Sequence, residues 1–102
     1  MTKMTKEKFL VTRRGFQITY PNGYTVSVQF GYGNYCNNGN RGVLFELFDD
    51  RHAISCPNAE IAILLGKEWK TRDCPLIHEG DDVVGYVTPT KLLPILQWAS
   101  KQ

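Results

Sequence analysis

The stretch Phe16–Phe30, FQITYPNGYTVSVQF, holds two runs of apolar–polar alternation on either side of a turn sequence. Phe16, Ile18 and Tyr20 alternate with Gln17 and Thr19. Tyr24, Val26, Val28 and Phe30 alternate with Thr25, Ser27 and Gln29. Period-two alternation puts the apolar set of each arm on one face of a strand. Pro21-Asn22-Gly23 stands between the arms. A two-residue Asn-Gly turn would set Ile18 against Ser27 and Tyr20 against Thr25, apolar against polar. A three-residue loop sets Tyr20 against Tyr24, Ile18 against Val26 and Phe16 against Val28. A one-residue slip flips a whole face, so the pattern selects the three-residue loop. Pro21 then opens a type I turn, and Gly23 takes the left-handed position of a G1 bulge.

Working outward toward the C-terminus, Ala59–Leu65 reads AEIAILL. Ile61, Ile63 and Leu65 share one face and Ala62 and Leu64 are also apolar, as in a central strand covered on both sides. Gly66-Lys67 is a hairpin turn into Glu68–Arg72. Residues 73–82 are polar, with Pro75 and Gly80, and read as loop. Val83–Val87 is a last short strand. Val43–Phe48 is apolar and reads equally as a strand or as one turn of helix. Asp49–Arg51 and Cys56–Asn58 are breaks in the pattern, Pro57 being unable to donate to a ladder.

The C-terminal segment is helical. Thr88 suits the N-cap and Pro89 the first helical position, where a missing N–H removes nothing. Leu92, Ile95, Leu96 and Ala99 form an apolar stripe with Trp98 at its edge. Pro94 lies inside this helix. Its ring opposes the Thr90 carbonyl, so a kink or a tighter first turn is expected there. The fold class is therefore α+β: a small twisted antiparallel sheet of about four or five strands with one C-terminal helix packed on it.

At 102 residues the chain reads as a single domain, 1–102. Its apolar runs are short, whereas a membrane span needs about 20 residues. The start, MTKMTKEKF, lacks the apolar region of a signal peptide, and the expected location is cytosolic. The net charge of +2 argues neither for nor against nucleic acid, and nucleic acid is not the expected partner. Lys3, Lys6, Lys8, Arg13 and Arg14 are opposed only by Glu7, and residues 1–12 read as a flexible basic segment.

No residue set reads as catalytic, and the expectation is a protein that is not an enzyme. Cys36, Cys56 and Cys74 contain no C-x-x-C pair and read as reduced, small buried hydrophobes. With His78 they could be imagined around zinc, but structural zinc takes ligands in close pairs, so neither metal nor cofactor is expected. Glu79, Asp81 and Asp82 read as a solvated turn. The Gly31-x-Gly33 spacing lacks the third glycine and the following helix of a dinucleotide fingerprint.

One stretch has the composition of a site: Phe30–Gly42, FGYGNYCNNGNRG. Its glycines leave backbone N–H groups unobstructed, as in an anion-binding nest. Tyr32 and Tyr35 could stack on a base, and Arg41 could grip a phosphate. The competing reading is a connector, with Gly and Asn supplying positive φ. Arg13 and Arg14 are further candidates.

Three segments, NGYTVSVQFGYGNYC (Asn22–Cys36), NAEIAILLGKEW (Asn58–Trp69) and DDVVGYVTPTKLLPILQWA (Asp81–Ala99), follow in a characteristic order. They resemble a group of small phage-encoded proteins with an NG-turn hairpin, a G-x-G-N-Y-C loop, an AE-[IV]-A strand, a G-x-W turn and a GYVTP helix start. The segment Asn37–Cys56 and Pro94 depart from that pattern. Phage accessory proteins of this size often counter host defence, so the resemblance implies a non-enzymatic antagonist of host immunity in the host cytoplasm. One form is a sponge, similar to the anti-Thoeris and anti-CBASS proteins, binding a cyclic nucleotide or ADP-ribose-type signal. Another is a protein–protein inhibitor of a host defence complex, as anti-CRISPR proteins are, and a third is a phage structural or DNA-binding accessory protein. The implied partner is a small nucleotide signal or a host defence protein. Free sheet edges make a homo-oligomer the expected state. The ligand-binding candidates are Tyr32, Tyr35, Arg41, Arg13 and Arg14. Gly33–Cys36 lies in the shared pattern and reads as partly structural, with Tyr35 and Cys36 anchored. The emphasis among the ligand candidates therefore falls on Tyr32 and Arg41.

Overall fold

The computed structural model describes residues 7–40, 55–78 and 81–102. Six strands and one helix follow in chain order: β1 (Lys8–Thr12), β2 (Gly15–Thr19), β3 (Tyr24–Gln29), β4 (Ala59–Leu65), β5 (Glu68–Trp69), β6 (Val84–Val87) and α1 (Pro89–Ser100). The strands form one antiparallel sheet in the order β1-β2-β3-β4-β5, and β6 also pairs with β4. The architecture is the expected α+β sheet with its C-terminal helix. Arg41, the apolar stretch Val43–Phe48 and the turn Asp49–Arg51 lie outside the described residues.

The central hairpin has the register that the apolar pattern selects. Phe16 faces Val28, Ile18 faces Val26 and Thr19 faces Thr25. Tyr20 N–H donates to the Tyr24 carbonyl at 2.8 Å, and Gly23 N–H to the Tyr20 carbonyl at 2.9 Å. Gly23 has φ +89°, the left-handed conformation a side chain would resist. Asn22 does more than turn the chain. Its Oδ1 accepts from Tyr24 N–H at 2.9 Å, while Nδ2 donates to the carbonyls of Ala99 and Gln102 at 2.8 and 3.0 Å. The hairpin turn thus caps the far end of α1, whose last carbonyls have no partners within the helix.

β4 is the central strand, between β3 on one side and β5 and β6 on the other. Ile61 and Ile63 are fully buried, in a core completed by Val26, Val28, Ile95, Ala99, Val87 and Cys74. Burying each isoleucine is worth roughly 1.5–3 kcal/mol relative to exposure. The helical stripe reads as expected: Ile95 and Ala99 enter the core, and Leu92 and Leu96 pack against it. Trp98 meets Tyr24 edge-to-face, with ring centroids 6.0 Å apart. The Thr88 hydroxyl accepts from Lys91 N–H at 3.4 Å as the N-cap. The helix runs unbroken through Pro94. Its first turn is α rather than tighter, with Leu92 N–H on the Thr88 carbonyl at 3.0 Å. Thr90, whose carbonyl Pro94 cannot serve, is exposed, so water can take that bond.

Three boundaries differ from the sequence reading. Within the segment expected to be flexible, Lys8–Thr12 forms β1, paired in full with β2. The basic residues obscured it. Phe9 and Val11 alternate with Lys8, Leu10 and Thr12, but two turns of alternation are a weak signal. The strand expected over Glu68–Arg72 stops at Trp69, and Thr71–Asp73 forms a 3-10 turn. The reason is Thr71, which is buried. Its hydroxyl accepts from Ile63 N–H at 2.9 Å and donates to the Asp82 carbonyl at 2.6 Å. A side chain thus replaces the next rung of the ladder. The last strand begins at Val84 rather than Val83 and contains a bulge. Ala59 faces Val87 while Ile61 faces Val84, so β6 carries the extra residue. Tyr86 absorbs it at φ 57°, the one non-glycine residue with positive φ among those described.

Candidate binding corner

The loop leaving β3 is a tied structure rather than an open cradle. Gly31 N–H donates to Asn34 Oδ1 at 3.0 Å, and Gly33 N–H to the Gly39 carbonyl at 3.1 Å. Asn34 and Cys36 N–H bond the carbonyls of Gly31 and Asn34, and Gly39 N–H bonds that of Cys36. Tyr35 N–H reaches Glu60 Oε2 at 3.1 Å, and Asn37 N–H reaches Asn58 Oδ1 at 2.8 Å. These are the N–H groups that a nest would aim at an anion, and each already has an acceptor inside the protein. The nest reading is therefore corrected for Gly31, Gly33 and Gly39, whose N–H groups are taken, while Gly42 lies outside the described residues. Backbone polar groups take the partners the fold offers, here carbonyls and the Asn34 side chain within the loop and the side chains of Asn58 and Glu60 around the start of β4.

Asn38 holds the loop from below. It is buried, and its Nδ2 donates to the carbonyls of Phe30 and Ser55, each at 2.9 Å. Asn37 and Asn58 complete a second tie, Asn58 Nδ2 donating to Asn37 Oδ1 at 3.1 Å. These bonds bring Cys36 beside Cys56, although neither position has the spacing of a pair. Burial, with the neighbouring Cys56 thiol contributing, pushes the Cys36 thiol above its ordinary value. Cys74 is buried elsewhere in the core and is pushed up for the same principal reason. All three cysteines are free thiols. Among the described residues no three of His, Cys, Asp and Glu gather as a metal site. Asp81 and Asp82 instead face Arg72, at 3.4 and 3.9 Å.

The candidate residues separate into two places. Arg13 and Arg14 form the tight turn between β1 and β2. Phe30 N–H donates to the Arg14 carbonyl at 2.9 Å, which fastens that turn to the start of the loop. The Arg14 guanidinium carbon then lies 5.8 Å from the centroid of the Tyr32 ring, within cation–π range. Tyr32 is 39% exposed and Arg13 is exposed. One corner therefore holds a partly exposed aromatic ring with the Arg14 guanidinium over it, from segments distant in sequence.

Tyr35 belongs to the second place. Its backbone is anchored as expected, but its side chain is 60% exposed. Tyr86 N–H, turned away from β4 by the bulge, donates to the Tyr35 carbonyl at 2.9 Å. Gly85 makes this approach feasible, since a Cβ there would lie 2.7 Å from that of Tyr35. Tyr86, 56% exposed, carries no signal in its sequence; its positive φ depends on the pairing of β6 with Ala59 and Ile61, far back along the chain.

Beside the loop, Phe16, Phe30, Val28, Ala59, Pro89 and Leu92 line an apolar groove of about 280 Å³ between sheet and helix. The Cys56 thiol and Asn58 supply its polar side. No helix among the described residues is long and apolar enough to cross a membrane. No family model, curated protein or solved structure matches the chain.

Proposed function

We propose that this protein is a non-enzymatic, phage-encoded antagonist of host immunity that binds and sequesters a nucleotide-type signal. The observation that carries the reading is the Arg14–Tyr32 corner. A purine or related base stacks on an aromatic ring, and an adjacent guanidinium meets phosphate in a charge-assisted, directional contact. Both groups are present there, held by the β1–β2 turn and the loop after β3. The phage-like order of Asn22–Cys36, Asn58–Trp69 and Asp81–Ala99 supports the biological setting.

The test is capture and release. Purified protein is incubated with cyclic dinucleotides, cyclic trinucleotides and ADP-ribose isomers, separated by filtration and then heated. A ligand that disappears from the filtrate and returns intact supports sequestration. One that never leaves solution refutes it, and one that returns altered identifies an enzyme.

A second reading, inhibition of a host defence protein, has its own observation. Tyr35 and Tyr86 are exposed and their backbones are joined by a hydrogen bond, with Tyr86 in a conformation costing on the order of 1–3 kcal/mol. Fixed, exposed tyrosines are typical anchors of protein interfaces. Pull-down of a host defence complex, abolished by Tyr35→Ala with Tyr86→Ala and unaffected by Arg14→Ala, selects this reading over the first.

A further inference from the structure

β1 is the outermost strand of the sheet, and among the described residues nothing pairs with its outer edge. Its pattern is unusual for an edge. Phe9 and Val11 are 82% and 85% exposed, and Leu10 on the opposite face is also exposed. Natural edges are normally blunted by charge, proline or bulges. Here Lys8 is the one charged residue within the strand, and the strand is regular throughout.

The register with β2 determines which backbone groups face outward. Thr12 and Gly15 close a two-residue turn. In such a hairpin the closing pair exchanges hydrogen bonds, and bonding alternates along the ladder. Thr12, Leu10 and Lys8 therefore bond β2, and the N–H and C=O of Phe9 and Val11 point away from the sheet.

We propose that β1 pairs with β1 of a second copy of this chain, antiparallel, about a two-fold axis at Leu10. In that register Phe9 lies opposite the partner's Val11, and the two pairs form four backbone hydrogen bonds from the groups that face outward. The side chains of Phe9 and Val11 become cross-strand neighbours on one face of a continuous sheet. The charges agree as well. Glu7, just before β1, falls opposite Arg13 of the partner subunit, just after it, and the relation occurs twice. Lys8 falls opposite the partner's Thr12, so no like charges meet. Shifting the axis to Phe9 or to Val11 keeps the backbone bonds but sets Val11 against Glu7 or Phe9 against Arg13. The Leu10 register alone matches apolar with apolar and acid with base, the self-complementarity an isologous interface requires. It assigns Arg13 to the interface, while Arg14 stays with Tyr32.

The experiment is light scattering and sedimentation of the full chain across the micromolar range, with variants. Wild type is expected to be a dimer. Val11→Pro removes an outward N–H without removing a bond to β2, and should be a monomer with an unchanged circular dichroism spectrum. Glu7→Arg and Arg13→Glu each create like-charge pairs and should weaken the dimer roughly tenfold. The double variant, Glu7→Arg with Arg13→Glu, should restore it. These two positions are outside the ladder, so the charge-exchange series decides the matter even if Val11→Pro fails to fold. A monomeric wild type overturns the proposal. So does a dimer indifferent to the charge exchange, which would lie on another surface. None of these outcomes bears on ligand capture at Arg14 and Tyr32, so this inference and the proposed function fail separately.

Discussion

Asn22 Nδ2 donates to the Ala99 carbonyl at 2.8 Å, linking the tip of the central hairpin to the last turn of the C-terminal helix across 77 positions of sequence. The same amide holds the Gln102 carbonyl, and its oxygen accepts from Tyr24 N–H. One side chain therefore sets the turn and caps the helix that covers the sheet. Asn22→Ala should destabilise the fold by about 1–2 kcal/mol, read as a lower urea midpoint with unchanged slope. Asn22→Asp keeps the acceptor but places a carboxylate at the negative end of the helix. It should fall at least as far, and a near-neutral Asn22→Asp would show that the cap contributes little.

Thr71 offers a second isolated test. Its hydroxyl serves both Ile63 N–H and the Asp82 carbonyl in a buried position. Thr71→Val preserves shape and removes both bonds, leaving the buried Ile63 N–H unserved at a cost of about 1–3 kcal/mol. Thr71→Ser should retain most of that stability. Chemical denaturation of the pair separates hydrogen bonding from packing, since a valine variant as stable as wild type would remove the two hydrogen bonds from the account, and a loss in the serine variant alone would point to the methyl group.

Alkaline pH should weaken the fold through its thiols. Burial raises the Cys36 and Cys74 thiols above 9.0, so the folded state holds those protons more tightly than the unfolded chain. Their contribution is complete below pH 9.0 and is lost as pH rises through the higher native values. Tyr20, raised from 10.0 by burial, acts in the same direction further up the scale. Denaturation midpoints measured on either side of pH 9.0 should decline, and Cys74→Ala should lessen the slope. A midpoint constant across that range contradicts the raised values.

Native alkylation should distinguish the same thiols. Cys56 is partly exposed and borders the groove, whereas Cys36 and Cys74 are buried. Mass spectrometry after brief treatment with iodoacetamide should find Cys56 modified first. Preferential labelling of Cys36 would mean that the loop opens more readily than its hydrogen bonds imply.

The Arg14–Tyr32 corner predicts a graded loss of captured nucleotide. Tyr32→Ala should lower affinity by about 1–3 kcal/mol, the value of one base stack, and Tyr32→Phe should keep most of it. Arg14→Lys retains charge but loses the planar fork and should bind less well than wild type. Calorimetry with the ligand recovered from the release experiment checks each. Equal losses for Tyr32→Phe and Tyr32→Ala would remove stacking from the account.

How much of this was legible in the sequence depended on the range of the interaction responsible. Phe16–Phe30 showed its strands, its turn and its register, because apolar alternation and the left-handed Gly23 are local constraints. The N-cap at Thr88 and the stripe Leu92–Ala99 were legible for the same reason. β1 was not, because its basic neighbours read as a solvated tail, and pairing with β2 rather than its own burial organises it. The loop's composition showed where the backbone could bend, but not that the N–H groups of Gly31, Gly33 and Gly39 already had acceptors.

By itself the sequence determined the α+β class, the hairpin register, the central position of Ala59–Leu65 and the covering helix, all of which follow from periodicity and turn chemistry within a few residues. Tertiary structure alone decided that Arg14 meets Tyr32, that Tyr35 joins Tyr86 at a bulge, and that Asn38 ties Phe30 to Ser55. Those relations join segments whose separation along the chain carries no periodic signal. They arise only when strand pairing brings the segments together and their polar groups must find partners away from water.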